Sequence, residues 1–441
     1  MDSSLTRTKM EPVLTYLPEE LILAIFKSLD RKSNLGTFLS LRAVNRAFRR
    51  IATPFVYMTV GSYYYDQETP SFSHTWDPPG FIRCVSWKLA LRPDLAGFIK
   101  ELKVRVALEN NYSLPDGISK EQMRELYANA LSHHTTLPKD MIEAIGLYMD
   151  FNIAQGFFAF ILAMCTRLEV LNIDGYVKNV GRAIRELLDH ACVLIQSHPE
   201  GHLHRGTLSA VRHFKFVGST DGFTVSEALA LLCIPRLQHL ELGCMRDTYS
   251  LIDKDLPEPP DKPLIHQPIH LTFASAFLTG RGLATILAAC KRPRSLVLRR
   301  RLPAKWDVSI GEALRTYGAA TLEFVLLDIM LEPNDTTEGS PLPLGSFAPL
   351  HNLRCLVVSR SAFDGTHDPA EILPPSLREL MVLGVEVGGK DEERFMALVG
   401  HPGLPKLKTM VCLDKDYARS FYSVTKHYIK YGSLRNLEWF Y

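Results

Sequence analysis

No apolar run in this sequence is long enough for a bilayer-spanning helix, which needs about twenty residues; the longest, FFAFILAMC at Phe157–Cys165, is less than half of that. The opening MDSSLTRTKMEP contains no apolar stretch of the kind a secretory signal uses. Charge of either sign is in little excess, with a net +2 over 441 residues, so there is no overall pull toward nucleic acid or an anionic membrane, and neither is expected as a partner. The eight cysteines stand singly, without a C-x-x-C pair, and several lie in apolar stretches. That pattern predicts small buried hydrophobes in a reducing compartment, cytoplasmic or nuclear. There is no G-x-S-x-G elbow, His133-His134 has no nucleophile pattern beside it, and His198, His202 and His204 have no Cys or carboxylate to complete a metal-ligand spacing. No catalytic residue, metal or cofactor is expected.

What is present is an ordinary globular composition, 46% hydrophobic and 22% charged, on a chain long enough for more than one domain. The stretch LPEELILAIFKSL, Leu17 to Leu29, predicts a helix with Pro18 in its first turn and Glu19 and Glu20 at the positive end of the dipole. Leu17, Leu21, Ile25 and Leu29 form one ridge, and Ile22 and Phe26 form a second beside it. After a polar turn, DRKSNLGT, a second amphipathic helix is expected in FLSLRAVNRAFRRIATP, with Leu41, Val44, Phe48 and Ile51 inside, arginines outside, and Pro54 marking its end. So small a unit has more apolar surface than it can cover alone.

These residues resemble the F-box: Leu17-Pro18, Glu20-Leu21, Ile25 and Leu29, then Leu39-Ser40-Leu41-Arg42 with Val44, Arg46 and Phe48, over roughly residues 13 to 58. The resemblance implies a helical module that docks onto the Skp-type adaptor of a cullin complex through Leu17, Pro18, Glu20, Leu21, Ile25, Leu29, Leu39, Leu41, Val44 and Phe48, with the second ridge given to the partner. The stretch between Asp30 and Val44 departs from the family by about four extra residues. The plain alternative is a helical hairpin packed on the rest of the chain.

Beyond residue 95 short L-x-x-L-x-L-like strands recur, ten of them from FIKELKVRV at Phe98 to SLRNLEWFY at Ser433, with helical patterns such as VSEALALLC and GLATILAAC between them. Their spacing from residue 211 onward is 24 to 31 residues, apart from one double gap of 56 between 237 and 293 that contains a proline-rich insertion. The pattern resembles the leucine-rich repeat, although the asparagine or cysteine of the regular repeat is mostly replaced, by Tyr176, Met245, Ser361 and Val385. The expected fold is therefore α/β: a flexible N-terminus (1–12), the F-box-like module (13–58), a linker or cap (59–94), and an irregular leucine-rich-repeat-like solenoid of strand and helix units (95–441) with insertions near 107–153, 246–268 and 332–349. An unrelated parallel α/β fold fits the same alternation.

Three features compete for function. GVEVGGKD, Gly384 to Asp391, has phosphate-loop spacing, but Asp391 stands where that loop needs a magnesium-binding hydroxyl. Lys291, Arg292, Arg294, Arg299, Arg300 and Arg301 form a basic cluster, either a site for a phosphorylated or acidic partner or a solvated rim. On the strands, the residue between the last two leucines faces away from the core: Lys103, Asn172, Lys215 and Glu241, then Val297, Leu326, Val357, Met381 and Val411. An apolar row there predicts either a target-binding groove with Arg299 at its start, or a stripe covered by an insertion or the C-terminal segment, or a register shifted by one residue. The layout, which resembles the F-box proteins of filamentous fungi, leads to the expectation of a non-catalytic substrate-recognition subunit of an SCF-type ubiquitin ligase, with a Skp-type adaptor, a cullin and a protein target as partners. The alternatives are a non-degradative scaffold and a nucleotide-binding enzyme using Gly384–Asp391.

Overall fold

The structure, a computed structural model, describes residues 18–29, 31–61, 81–105, 119–135, 137–151, 153–174, 208–217, 223–247, 258–301, 308–330, 344–363, 367–385 and 388–413. Leu17, the histidines at 198, 202 and 204, and the last strand-like segment from Ser433 lie outside these residues.

The chain begins with three helices, α1 (Glu19–Ser28), α2 (Arg31–Val44) and α3 (Arg46–Tyr57). The expected single second helix is thus two. Asn45 leaves helical geometry and its side chain caps α3, accepting from the Phe48 amide at 2.8 Å, because an Asn side chain offers the backbone a bond that competes with helix continuation. The stretch expected as a polar turn is instead part of α2, and Pro54 lies inside α3 rather than past its end. Ile22, Phe26, Phe38, Phe48, Ile51 and Ala52 form the module's core. Phe26 meets Phe38 edge-on at 5.4 Å, and Phe38 stacks on Phe55 at 5.3 Å.

The remainder is mixed α/β, built on one eleven-stranded sheet whose hydrogen-bonded neighbours follow chain order and run parallel throughout. The strands are β1 (Thr59–Gly61), β2 (Glu101–Arg105), β3 (Val170–Asp174), β4 (His213–Val217), β5 (His239–Gly243), β6 (Ile265–Ala276), β7 (Cys290–Arg301), β8 (Phe324–Met330), β9 (Cys355–Ser359), β10 (Glu379–Leu383) and β11 (Thr409–Leu413). Two of them correct the sequence reading. β1 lies in the segment expected to be a linker, where Gly61 lets the chain run so close to β2 that a Cβ would sit 2.5 Å from the Lys103 carbonyl oxygen. β6 fills the gap of 56 residues, so part of the proline-rich insertion is ladder, with the register irregular around Pro268. After α4 (Phe81–Leu91), the stretch near 107–153 holds α5 (Lys120–His134) and α6 (Lys139–Phe151), which pack as part of the core.

A parallel ladder needs crossovers, and the helices between strands supply them on one face. Leu102, Leu171, Phe214, Leu240, Leu271, Leu296, Val325, Leu356 and Leu380 share one row across the sheet, and they pack with the buried side chains of every described helix after α3 into the main core.

The opposite face carries the row singled out as a target groove. Its register is as expected, since Val297, Leu326, Val357, Met381 and Val411 are ladder partners. Its exposure is not. Val297, Leu326, Val357 and Met381 are 0% exposed and, with Phe324, Cys355 and Leu383, form a second core against which Val411 and Leu413 pack. Arg299, expected as a charged anchor, is half-buried on the same face beside Asp328, which is 4% exposed. The row is apolar because it is interior. Truncating Leu326 to Ala should therefore destabilise the folded protein by about 2 to 5 kcal/mol, read as a lowered midpoint in denaturant unfolding, and an unchanged midpoint would return this row to the surface.

Candidate functional site

Two surfaces have the residues for recognition. The first lies on the helical module. With Ile22 and Phe26 directed into the core, it is the other ridge, not this second one, that α1 leaves free: Leu21 is 52% and Ile25 44% exposed, and α2 adds Leu39 at 48% and Val44 at 55%. Pro18 and Glu20 are also exposed, while Leu29 and Leu41 are partly buried against the core. Phe48 is 4% exposed, so its role is to hold the module together rather than to meet a partner. Leu23, missed in the sequence reading, joins the exposed set at 37%. Single exposed aliphatic residues are ordinary, but several on adjoining helices of a small module are the mark of an interface.

The second surface is the open face of the sheet over β1–β6. Here the row Lys103, Asn172, Lys215, Glu241 and Thr272 is polar, and its charges are paired. Thr59 Oγ1 donates to Glu101 Oε2 at 3.1 Å, Lys103 Nζ reaches the same oxygen at 3.2 Å, and Lys215 meets Glu241 at 2.7 Å. The change to apolar character falls between Thr272 and Val297, one strand later than Glu241 suggested. Beside this row, His213, His239 and His270 are ladder partners with ring centroids 4.2 and 4.5 Å apart, and His270 Nδ1 lies 2.7 Å from Ser295 Oγ. The signal was legible in hindsight, since VRHFKF, LQHLEL and PIHLTF place a His before the same inward-facing residue. Among the described residues no group of side chains has the makings of a metal site.

Burial, then the neighbouring imidazoles, holds His239 down to about 3, and His213 and His270 are also lowered, burial again being the main cause. Cys165 and Cys290 are pushed up to about 12 by burial, which leaves them inert thiols. The phosphate-loop look-alike is occupied by its own contacts: the Asp391 carboxylate is ion-paired to Arg360, and Lys390 opens a short helix, Lys390–Met396.

Of the basic cluster, Arg292 and Arg294 line a cleft of about 290 Å³ with Pro268, Thr321, Glu323, Asn352 and Arg354. No protein-family model matches the chain, and no curated protein does. Among the described residues no helix is long and apolar enough to cross a membrane.

Two outcomes follow from these contacts. Because the folded imidazoles sit below the 6.5 of a free histidine, the unfolded chain binds more protons as the pH falls past 6.5, and stability drops from there toward pH 3. His239→Gln should flatten that slope, seen as a smaller difference between denaturant midpoints at pH 7 and pH 5 than in the wild type; an identical difference would show that the ladder is not the cause. Titration calorimetry with ATP or GTP should show no measurable heat of binding, and micromolar affinity lost on Lys390→Ala would reverse the reading of that loop.

Proposed function

We propose that this chain is the non-catalytic, substrate-recognition subunit of an SCF-type cullin ubiquitin ligase. In this reading α1–α3 are an F-box-like module that binds a Skp-type adaptor, and the sheet with its helices is an irregular leucine-rich-repeat-like solenoid that presents a protein target. The observation that carries it is the unpartnered apolar set Leu21, Ile25, Leu39 and Val44 on a module whose own core is already filled by Ile22, Phe26, Phe38, Phe48 and Ile51. The catalytic chemistry belongs to other subunits, and this chain acts by raising the effective concentration of its target near them. The row Val297, Leu326, Val357 and Met381 has no part in target capture, being interior.

An aliphatic side chain fully covered by a partner contributes about 1.5 to 3 kcal/mol. Leu21→Asp with Ile25→Asp should therefore abolish co-purification of a Skp-type adaptor, while the unfolding transition of the sheet stays where it is. Adaptor binding that survives this double substitution would sink the proposal. Recruitment of a cullin through the bound adaptor separates a ligase receptor from a non-degradative scaffold.

A further inference from the structure

The buried members of the second core all stand on β7 to β10, with Val411 and Leu413 of β11 packed beside them. A sheet face cannot bury itself, because its side chains stand next to one another on one surface, and a second layer about 10 Å above must exclude the water. Among the described residues no helix contributes to that layer, yet Phe324, Leu326 and Met381 are 0% exposed. Since they are buried within a single chain, the layer belongs to the chain itself. Most of the candidate sequence is too short or too polar. Residues 302–307, 364–366 and 386–387 are short links after β7, β9 and β10, and residues 331–343, LEPNDTTEGSPLP, offer two leucines among acidic and turn-forming residues.

Residues 414–441, outside the described set, follow β11 at the rim of the face and have the missing apolar side chains. Tyr417, Phe421, Val424, Tyr428 and Tyr431 recur at steps of four, three, four and three, the spacing of one helical face, and Arg419, Lys426 and Lys430 fall on the opposite side. The dimensions agree: strands about 4.8 Å apart put β7 and β11 about 19 Å from each other, and a helix over 417–431 would be about 21 Å long. We propose that residues 417–431 lie across β7 to β11 as the layer that closes the second core, with the aromatic stripe turned to Leu326, Val357 and Met381. Beside the short helix Lys390–Met396, where the repeat would otherwise put them, they would leave this face bare. The second half of the open face is thereby reserved for the chain's own segment, and an outside partner reaches only the part over β1–β6. The inference does not depend on what α1 binds.

The first test uses the full chain with the photo-crosslinker p-benzoylphenylalanine in place of Phe421, with adducts mapped by mass spectrometry. Intramolecular adducts on β8 to β10 are expected. Adducts on the helix Lys390–Met396, adducts between two copies, or none on these strands overturn the proposal. The second test compares three thiols in one molecule, Cys355 in the second core and Cys165 and Cys290 in the main core. Phe421→Asp with Tyr428→Asp should speed alkylation of Cys355 by N-ethylmaleimide roughly tenfold or more and leave Cys165 and Cys290 as slow as in the wild type. An unchanged Cys355 rate overturns the proposal. If all three rates rise together the molecule has opened as a whole, and the cross-link, made without those charges, decides.

Discussion

The in-register parallel ladder is the constraint on which the rest of this protein depends. Side chains alternate across a strand with period two, so placing Leu102, Leu171, Phe214, Leu240, Leu271, Leu296, Val325, Leu356 and Leu380 against the helices fixes where every neighbouring residue points. A slip of one residue toward the C-terminus would exchange Leu102, Leu171, Phe214 and Leu240 for Lys103, Asn172, Lys215 and Glu241 at β2 to β5. It would exchange only one apolar residue for another at β7 to β10, where both faces are interior. Register is therefore enforced by sequence in the first half and by packing shape in the second.

This difference explains why the face opposite the helices has two characters. Over β2–β5 it meets water, and its charges are matched across or along strands, Lys215 to Glu241 and Lys103 to Glu101, as half-exposed pairs that satisfy one another at small net gain. From β7 onward it is a second core, and of the two buried acids described on it, Asp328 and Glu379, the first is informative. The Asp328 carboxyl is pushed up by burial while the charge of Arg299, its ladder partner on the adjacent strand, opposes the shift, so a buried acid and a cation are neighbours where the apolar rows stop. A buried charge without that neighbour would cost several kcal/mol. The arginine that sequence alone offered as a ligand anchor is thus better understood as the counter-charge for Asp328.

The strands from β2 onward other than β6, their parallel sense and the helix between most of them were legible because each announces itself with an inward apolar pattern, spaced by 24 to 31 residues over most of the chain from residue 211 onward. β1 was not, since three residues carry no period, and β6 was hidden by Pro268 within it and Pro263 just before it. The polarity change along the open face was visible in the inter-leucine residues, but its meaning was not: a row of Val, Leu, Val and Met is the same string whether it faces a partner or a second core. On the helical module the two ridges of α1 were legible and their assignment was not, because which ridge turns inward is decided by Phe38 and Phe55, aromatic residues on the other two helices. Of the cations that precede the strands, Arg294 stood out in the basic cluster, whereas Arg354, Arg378 and Lys408 did not, because they are consecutive only across the sheet, never along the chain.

Those cations also show where the fold departs from its own habit. In the same row over the first strands, Lys100 is paired with Glu169 at 2.9 Å, and Arg212 is followed by the neutral Gln238 and Ile269. Cross-strand neighbours of like charge destabilise a sheet, and the row Arg354, Arg378, Lys408 places three of them in succession with a single carboxylate, Glu323, at one end. Long cationic side chains can lay their stems over the end of a core and keep their heads in water, which accounts for polar residues at strand entries in general. It does not account for one sign, since glutamate or glutamine would serve as well and would remove the repulsion. A run of like charge held at strand spacing by 2.8 Å main-chain hydrogen bonds therefore carries a repulsion that the ladder and the packing beneath it must offset.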